Sequence, residues 1–226
     1  MKRAIGNAII LAIILVLAGC DTQETGTMVC LGDSLTEGYG ASRPFAVDKS
    51  KSYPAFLQKR VKLTIVNAGI SGDTAAGGLD RVENDVLAKD PQVVIILLGA
   101  NDFLSLKPAS QTKKSLQDII NKIKNDNRKI YLASFIGDAA WEASYLEAFP
   151  AIITPDIIAL LADYKDIYAE LGSENPGLGL ISNIWKGIGR NQMSDPIHPN
   201  AQGYGIMADN IFAVIKPYFT ENNLLK

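Results

Sequence analysis

Short apolar runs that alternate with stretches of helix-spaced apolar residues predict one α/β domain, a five-stranded parallel sheet covered by helices on both faces. Two observations carry this reading. Residues 93–98 are apolar at every position, as a parallel strand buried on both faces requires, and Pro91 and Gly99 bound them. Every motif with chemical content follows one of the predicted strands, and that is the edge where such sheets bind ligands.

Residues 28–31 read as a first, buried strand. Tyr53, Phe56, Leu57 and Val61 have helical spacing, and residues 64–67 read as the second strand. Leu79, Val82 and Val86 repeat at helical period before the third strand at 93–98. Leu116, Ile119, Ile120 and Ile123 mark the next helix, and residues 129–134 the fourth strand. Ile157, Leu161, Tyr164, Tyr168 and Leu171 line one face of a long helix. Residues 177–181 form a weaker fifth strand. Tyr204, Met207, Ile211, Val214, Ile215 and Tyr218 give a last amphipathic helix.

At 226 residues and 47% hydrophobic, the chain is long enough for one well-buried domain and short for two. Its formal net charge is −2, with no basic stripe, so nucleic acid is not an expected partner. There is no phosphate-binding glycine loop followed by lysine, and no repeat.

The first nineteen residues read as a targeting segment. Lys2 and Arg3 precede an apolar run at 8–17, too short for a bilayer span, which needs about 20 residues. The run ends in Leu17-Ala18-Gly19-Cys20, which resembles the lipobox of bacterial lipoproteins, where cleavage leaves a lipid-modified cysteine. Residues 20–27 would then be a polar tether and 28–226 the folded domain. The expectation is an exported protein held at a membrane through Cys20, since several acyl chains anchor firmly where one is marginal. Cys30, in the first strand, reads as a small apolar residue. Lipidation of Cys20 would forbid a Cys20–Cys30 disulfide.

The sequence contains a single histidine, His198, in Ser194-Asp195-Pro196-Ile197-His198-Pro199-Asn200. Pro196 and Pro199 exclude a continuous helix, so a turn can bring the Asp195 carboxylate back to the imidazole. Ser34, in Gly32-Asp33-Ser34-Leu35 after the first strand, is the candidate nucleophile. A helix starting there would also aim its backbone N–H at substrate. Asn101, in Gly99-Ala100-Asn101-Asp102 at the end of strand three, offers a side-chain amide to an oxyanion. Gly72, in Gly69-Ile70-Ser71-Gly72-Asp73-Thr74, offers a backbone N–H, although a plain turn glycine is a credible reading of it alone.

Together the four blocks resemble the SGNH (GDSL-type) hydrolases, and most closely bacterial lysophospholipase/acyl-CoA thioesterase-type esterases. The likeness spans about residues 28–217. It implies a three-layer, flavodoxin-like α/β/α sandwich without cofactor or metal. It also implies a catalytic triad of Ser34, Asp195 and His198, and an oxyanion hole made by Ser34, Gly72 and Asn101. The chain would hydrolyse acyl esters or thioesters through an acyl-enzyme.

Two features depart from the compact relatives. Pro196 occupies the position after Asp195, and the segment 136–194 is longer. Its aromatic residues Trp141, Tyr145, Phe149 and Trp185 read equally as an acyl pocket or as helix-packing core. Leu104, Leu106, Ile136 and Ile197 favour an apolar acyl group over the alternative, a carbohydrate O-acetyl ester. No Gly-x-Ser-x-Gly elbow is present, which disfavours an α/β-hydrolase, and one histidine is too few for a typical zinc site. A non-catalytic lipid-binding surface lipoprotein is the reading from another class; the intact set of motif residues argues against it.

Overall fold

The computed structural model describes residues 26–136 and 154–226. Strands β1 (Thr27–Gly32), β2 (Thr64–Gly69), β3 (Val93–Leu97), β4 (Lys129–Ala133) and β5 (Gly179–Ile181) form one sheet in the order β2-β1-β3-β4-β5. All four pairings are parallel. This is the flavodoxin-like order, and its direction of winding reverses between β1 and β3. The β1 and β3 cores are buried throughout: residues 28–31 and 93–97 have no exposed surface. Each such Val, Leu or Ile contributes about 1.5–3 kcal/mol by leaving water.

Helices cover the sheet. Helices α1 (Ser34–Glu37) and α2 (Tyr53–Gln58) follow β1, and α3 (Ala75–Asp80) and α4 (Val82–Asp85) follow β2. Next come α5 (Ala100–Leu104), α6 (Ala109–Ile123), α7 (Pro155–Glu174) and α8 (Ala201–Glu221). Helices α3, α6 and α7 pack in succession, while α2 packs on α8. Thr112, Leu116, Ile119, Ile120 and Ile123 of α6 recur every three or four residues and are all buried, as an inward helix stripe must be. In α7, Leu161, Tyr164, Tyr168 and Leu171 do the same.

Several boundaries differ from the sequence reading: β2 runs on to Gly69, β4 stops at Ala133, and α2 ends at Gln58, short of Val61. Leu79, Val82 and Val86 do not share one helix: the chain breaks at Arg81 between α3 and α4, and a 3₁₀ turn follows. Two adjacent glycines, Gly77 and Gly78, weaken that helix. The Arg81 side chain meanwhile turns back to the sheet. Asn101 does not end β3. That strand stops at Leu97, Gly99 turns the chain with φ 116°, and Asn101 lies in the first turn of α5. Gly177 and Leu178 precede β5, because Gly177 adopts φ 90°. Thr27, placed in the tether by the sequence, is the first residue of β1. Cys20 and the aromatic residues Trp141, Tyr145 and Phe149 lie outside the described residues.

Candidate active site

Ser34 is the first residue of α1, directly beyond β1. The helix is capped not by Ser34 but by Asp33, whose Oδ1 accepts the Leu35 N–H at 3.0 Å. That division of labour leaves the serine hydroxyl free of capping duty. Its Oγ instead meets His198 Nε2 at 2.9 Å. The first N–H groups of a helix have no intrahelical partner. With that of Leu35 taken by Asp33, the N–H of Ser34 is the donor the helix start offers to a ligand.

On the other side of the ring, His198 Nδ1 lies 2.8 and 2.9 Å from Asp195 Oδ2 and Oδ1. Oδ1 also accepts the backbone N–H groups of Ile197 and His198, at 3.0 and 2.8 Å. One carboxylate thus closes the turn and orients the imidazole. The turn is clamped at its base by a bridge between Met193 and Pro199 and by Ser194 N–H donating to His198 O at 2.8 Å. Asn200 then ends the loop by capping α8, accepting from Gln202 and Gly203 N–H. The Tyr39 ring lies 4.6 Å from the imidazole, centroid to centroid.

Gly72 and Asn101 line the same cleft as Ser34 and His198. The Ile70-Ser71-Gly72 loop is tied to α1, because Glu37 accepts both the N–H and the hydroxyl of Ser71, at 2.8 and 2.6 Å. Gly72 has φ 83°, and a Cβ there would meet no atom within 4 Å. The Asn101 amide donates to the Asp73 carbonyl at 2.8 Å and stands 3.5 Å from Asp33 Oδ2, the outer limit of hydrogen bonding. Next door, the buried Asp102 accepts the Ala75 N–H at 2.8 Å, which ties the start of α3 to α5.

The charge arrangement behind this wall was not read from the sequence. Arg81 reaches Asp73 at 2.7 Å and Asp85 at 2.8 Å, and donates to the carbonyls of Ala68 and Gly32, joining the ends of β1 and β2. Asp102 has Lys107 at 3.2 Å. Asp33, 1% exposed, has no cation beside it among the described residues. Burial pushes its carboxyl up to about 7; the Leu35 N–H works against the rise, and Asp73 and Asp102 add to it. The only sequence sign of this was the number of aspartates inside the motifs, and spacing alone does not say which of them is unpaired.

The cleft has a volume of about 520 Å³, and its walls are mostly apolar, among them Leu35, Phe45, Phe103, Phe135, Trp185 and Ile197. Trp185 satisfies both sequence readings. It is 3% exposed, its Nε1 donates to Phe135 O at 2.7 Å, and it forms part of the cleft wall. Leu104 and Ile197 line the cleft as expected; Ile136 is buried away from it, and Leu106 is exposed. Cys30 is fully buried in β1, and burial pushes its thiol up to about 12, so it is no competing nucleophile.

Fold and site together define a carboxylic ester hydrolase. The chain belongs to the GDSL-like Lipase/Acylhydrolase family, whose pattern matches residues 30–206. It is 28% identical over 215 residues to Esterase TesA of Pseudomonas aeruginosa, covering 90% of this chain and 98% of that one. It is 34% identical over 210 residues to the Thioesterase 1/protease 1/lysophospholipase L1 of Escherichia coli, covering 90% and 89%. A solved structure described as TesA superposes with a TM-score of 0.68 at 25% identity, covering 84% of this chain and 98% of that one. The chain is therefore an acylhydrolase of the esterase, thioesterase and lysophospholipase kind.

Proposed function

We propose that Ser34 attacks the carbonyl of an acyl ester or thioester and forms an acyl-enzyme. His198 takes the serine proton through Nε2 and returns it to the leaving group, while Asp195 holds the tautomer and stabilises the imidazolium. The backbone N–H groups of Ser34 and Gly72 and the side-chain amide of Asn101 receive the oxyanion, the amide giving up its 3.5 Å contact with Asp33 Oδ2 to do so. Water then repeats the sequence on the acyl-enzyme. The observation that carries this reading is the 2.9 Å contact of Ser34 Oγ with an imidazole whose other nitrogen is held by a carboxylate.

The apolar walls favour an acyl chain over an acetylated sugar, whose hydroxyls would be left without partners in such a cleft. We further propose export and attachment to a membrane through a lipid on Cys20. The lipobox-like sequence before Cys20 and the polar stretch after it support this.

The test combines a p-nitrophenyl ester series of increasing acyl length with fluorophosphonate labelling. Turnover that rises from acetyl to medium chains, together with loss of both turnover and label in a folded Ser34→Ala variant, is the expected result. Label retained on another residue of that variant would overturn the assignment.

A further inference from the structure

Large apolar side chains stand exposed around the catalytic mouth. Phe45 follows α1, Ile70 follows β2, and Leu104 and Leu106 end the segment after β3. Phe45 is 79% exposed and Leu106 61%, and both hold positive φ, 61° and 57°, which a non-glycine residue adopts only at some strain. Such a rim suggests contact with the bilayer that carries the anchor. The covalent geometry of the chain opposes that.

Gly26 sits at the opposite pole of the sheet. Its carbonyl accepts the Thr64 N–H at 3.0 Å where β2 begins, and the neighbouring Thr27 carbonyl accepts the Gln92 N–H at 2.8 Å just before β3. Because every strand is parallel, all five begin at this pole and end at the mouth. The six residues of β1 separate the two poles by about 20 Å, and the turn to Ser34 and the rim loops add to that. With the rim pressed on a bilayer, Gly26 would stand roughly 25 Å or more above it.

Five residues, in six Cα–Cα steps, connect Cys20 to Gly26. Fully stretched, those steps reach about 21 Å, which is too short. We infer that the catalytic mouth faces away from the membrane that holds Cys20, so that the substrate is an acyl ester arriving through the aqueous space and not a lipid of the host bilayer. This rests on the hydrolase and anchor readings above. The apolar rim then receives the chain of an incoming amphiphile, and the anchor only confines the enzyme to the surface.

The experiment uses the full-length, lipid-processed protein in phospholipid vesicles that also carry a fluorogenic long-chain ester, chosen as one that the Cys20→Ser form cleaves in detergent micelles. A second form carries a thirty-residue Gly/Ser insert between Thr25 and Gly26. Flotation with the vesicles is measured first, then cleavage of the vesicle-borne ester at high dilution and of a water-soluble short-chain ester. Both forms should float and cleave the soluble ester equally. The long-tether form should cleave the ester of its own vesicle at least about tenfold faster, because a linker too short to span gives an effective concentration near zero. Equal cleavage of own-vesicle ester by the two forms, at any dilution, would overturn the orientation while leaving the anchor in place. Failure to float would remove the anchor, and the orientation with it. Loss of soluble-ester cleavage in both forms would instead strike the hydrolase reading.

Discussion

The two sides of the catalytic cleft are assembled differently. The side that would move protons is almost wholly local: Asp195 and His198 are three residues apart, and the same carboxylate that orients the ring also closes the turn through two backbone N–H groups. The side that would hold the oxyanion is assembled from segments nearly seventy residues apart, with Ser34, Gly72 and Asn101 in the turns and helix starts that follow three strands. Its fixing groups are buried aspartates, the Arg81 guanidinium and backbone carbonyls. Strain in the first side is confined to a turn. In the second, one substitution is felt across α1, α3 and α5.

The largest effect beyond loss of the nucleophile should come from the local side. Asp195→Asn leaves the ring's neighbours in place but permits the wrong tautomer, and kcat should fall about 10⁴-fold. The turn also loses its charged acceptor, so a thermal melt should accompany the kinetics to separate the two effects. A variant that kept wild-type kcat would show that the relay does not need this carboxylate.

On the distant side, Asn101→Ala should lower kcat about 100- to 1000-fold with a smaller change in KM, because oxyanion donors act mainly in the transition state. A change in KM alone would make Asn101 a substrate-binding residue instead, and the contrast between the two sides would lose its functional meaning.

Asp33 sharpens the comparison through stability. Folded, it holds its proton up to about pH 7, whereas unfolded it loses it near 3.9. Between those values the folded chain binds more protons, so its contribution to stability declines as pH rises through the window and is level above it. Asp33→Asn keeps an acceptor for the Leu35 N–H and cannot ionise. Relative to the wild type it should gain stability progressively from pH 4 to 7, reaching about 2–4 kcal/mol at pH 8. Denaturant titrations at pH 4 and pH 8 check this; equal differences at both values would refute it.

The smallest effect should follow Gly72→Ala. An added Cβ meets nothing within 4 Å, so only the left-handed backbone is strained, at about 1–2 kcal/mol. A modest drop in Tm with a parallel drop in kcat is the expected pair of results. Alanine keeps the backbone N–H, so kcat should fall only as far as the strain displaces it, and an unchanged Tm would refute the strained backbone.

The sequence by itself determined the layer architecture, the five strands and the edge where chemistry gathers. Uninterrupted apolar runs such as residues 93–97 have only one place to go, a sheet covered on both faces. It also determined the Asp195–His198 turn, whose prolines and short spacing restrict the backbone directly. It missed the break at Arg81 and the placement of Asn101 on α5, because there a side chain bonding to Gly32 and Ala68 carbonyls and a left-handed Gly99 outweigh local periodicity. Only the tertiary structure decided that Asp33 caps α1, that it is buried with no cation beside it among the described residues, and that Trp185 is both core and cleft wall. The physical reason is the range of the forces involved. Hydrophobic period and turn stereochemistry act within a few residues and leave their mark in the sequence. Desolvation and charge pairing depend on which distant groups packing brings together, and those groups are neighbours only in space.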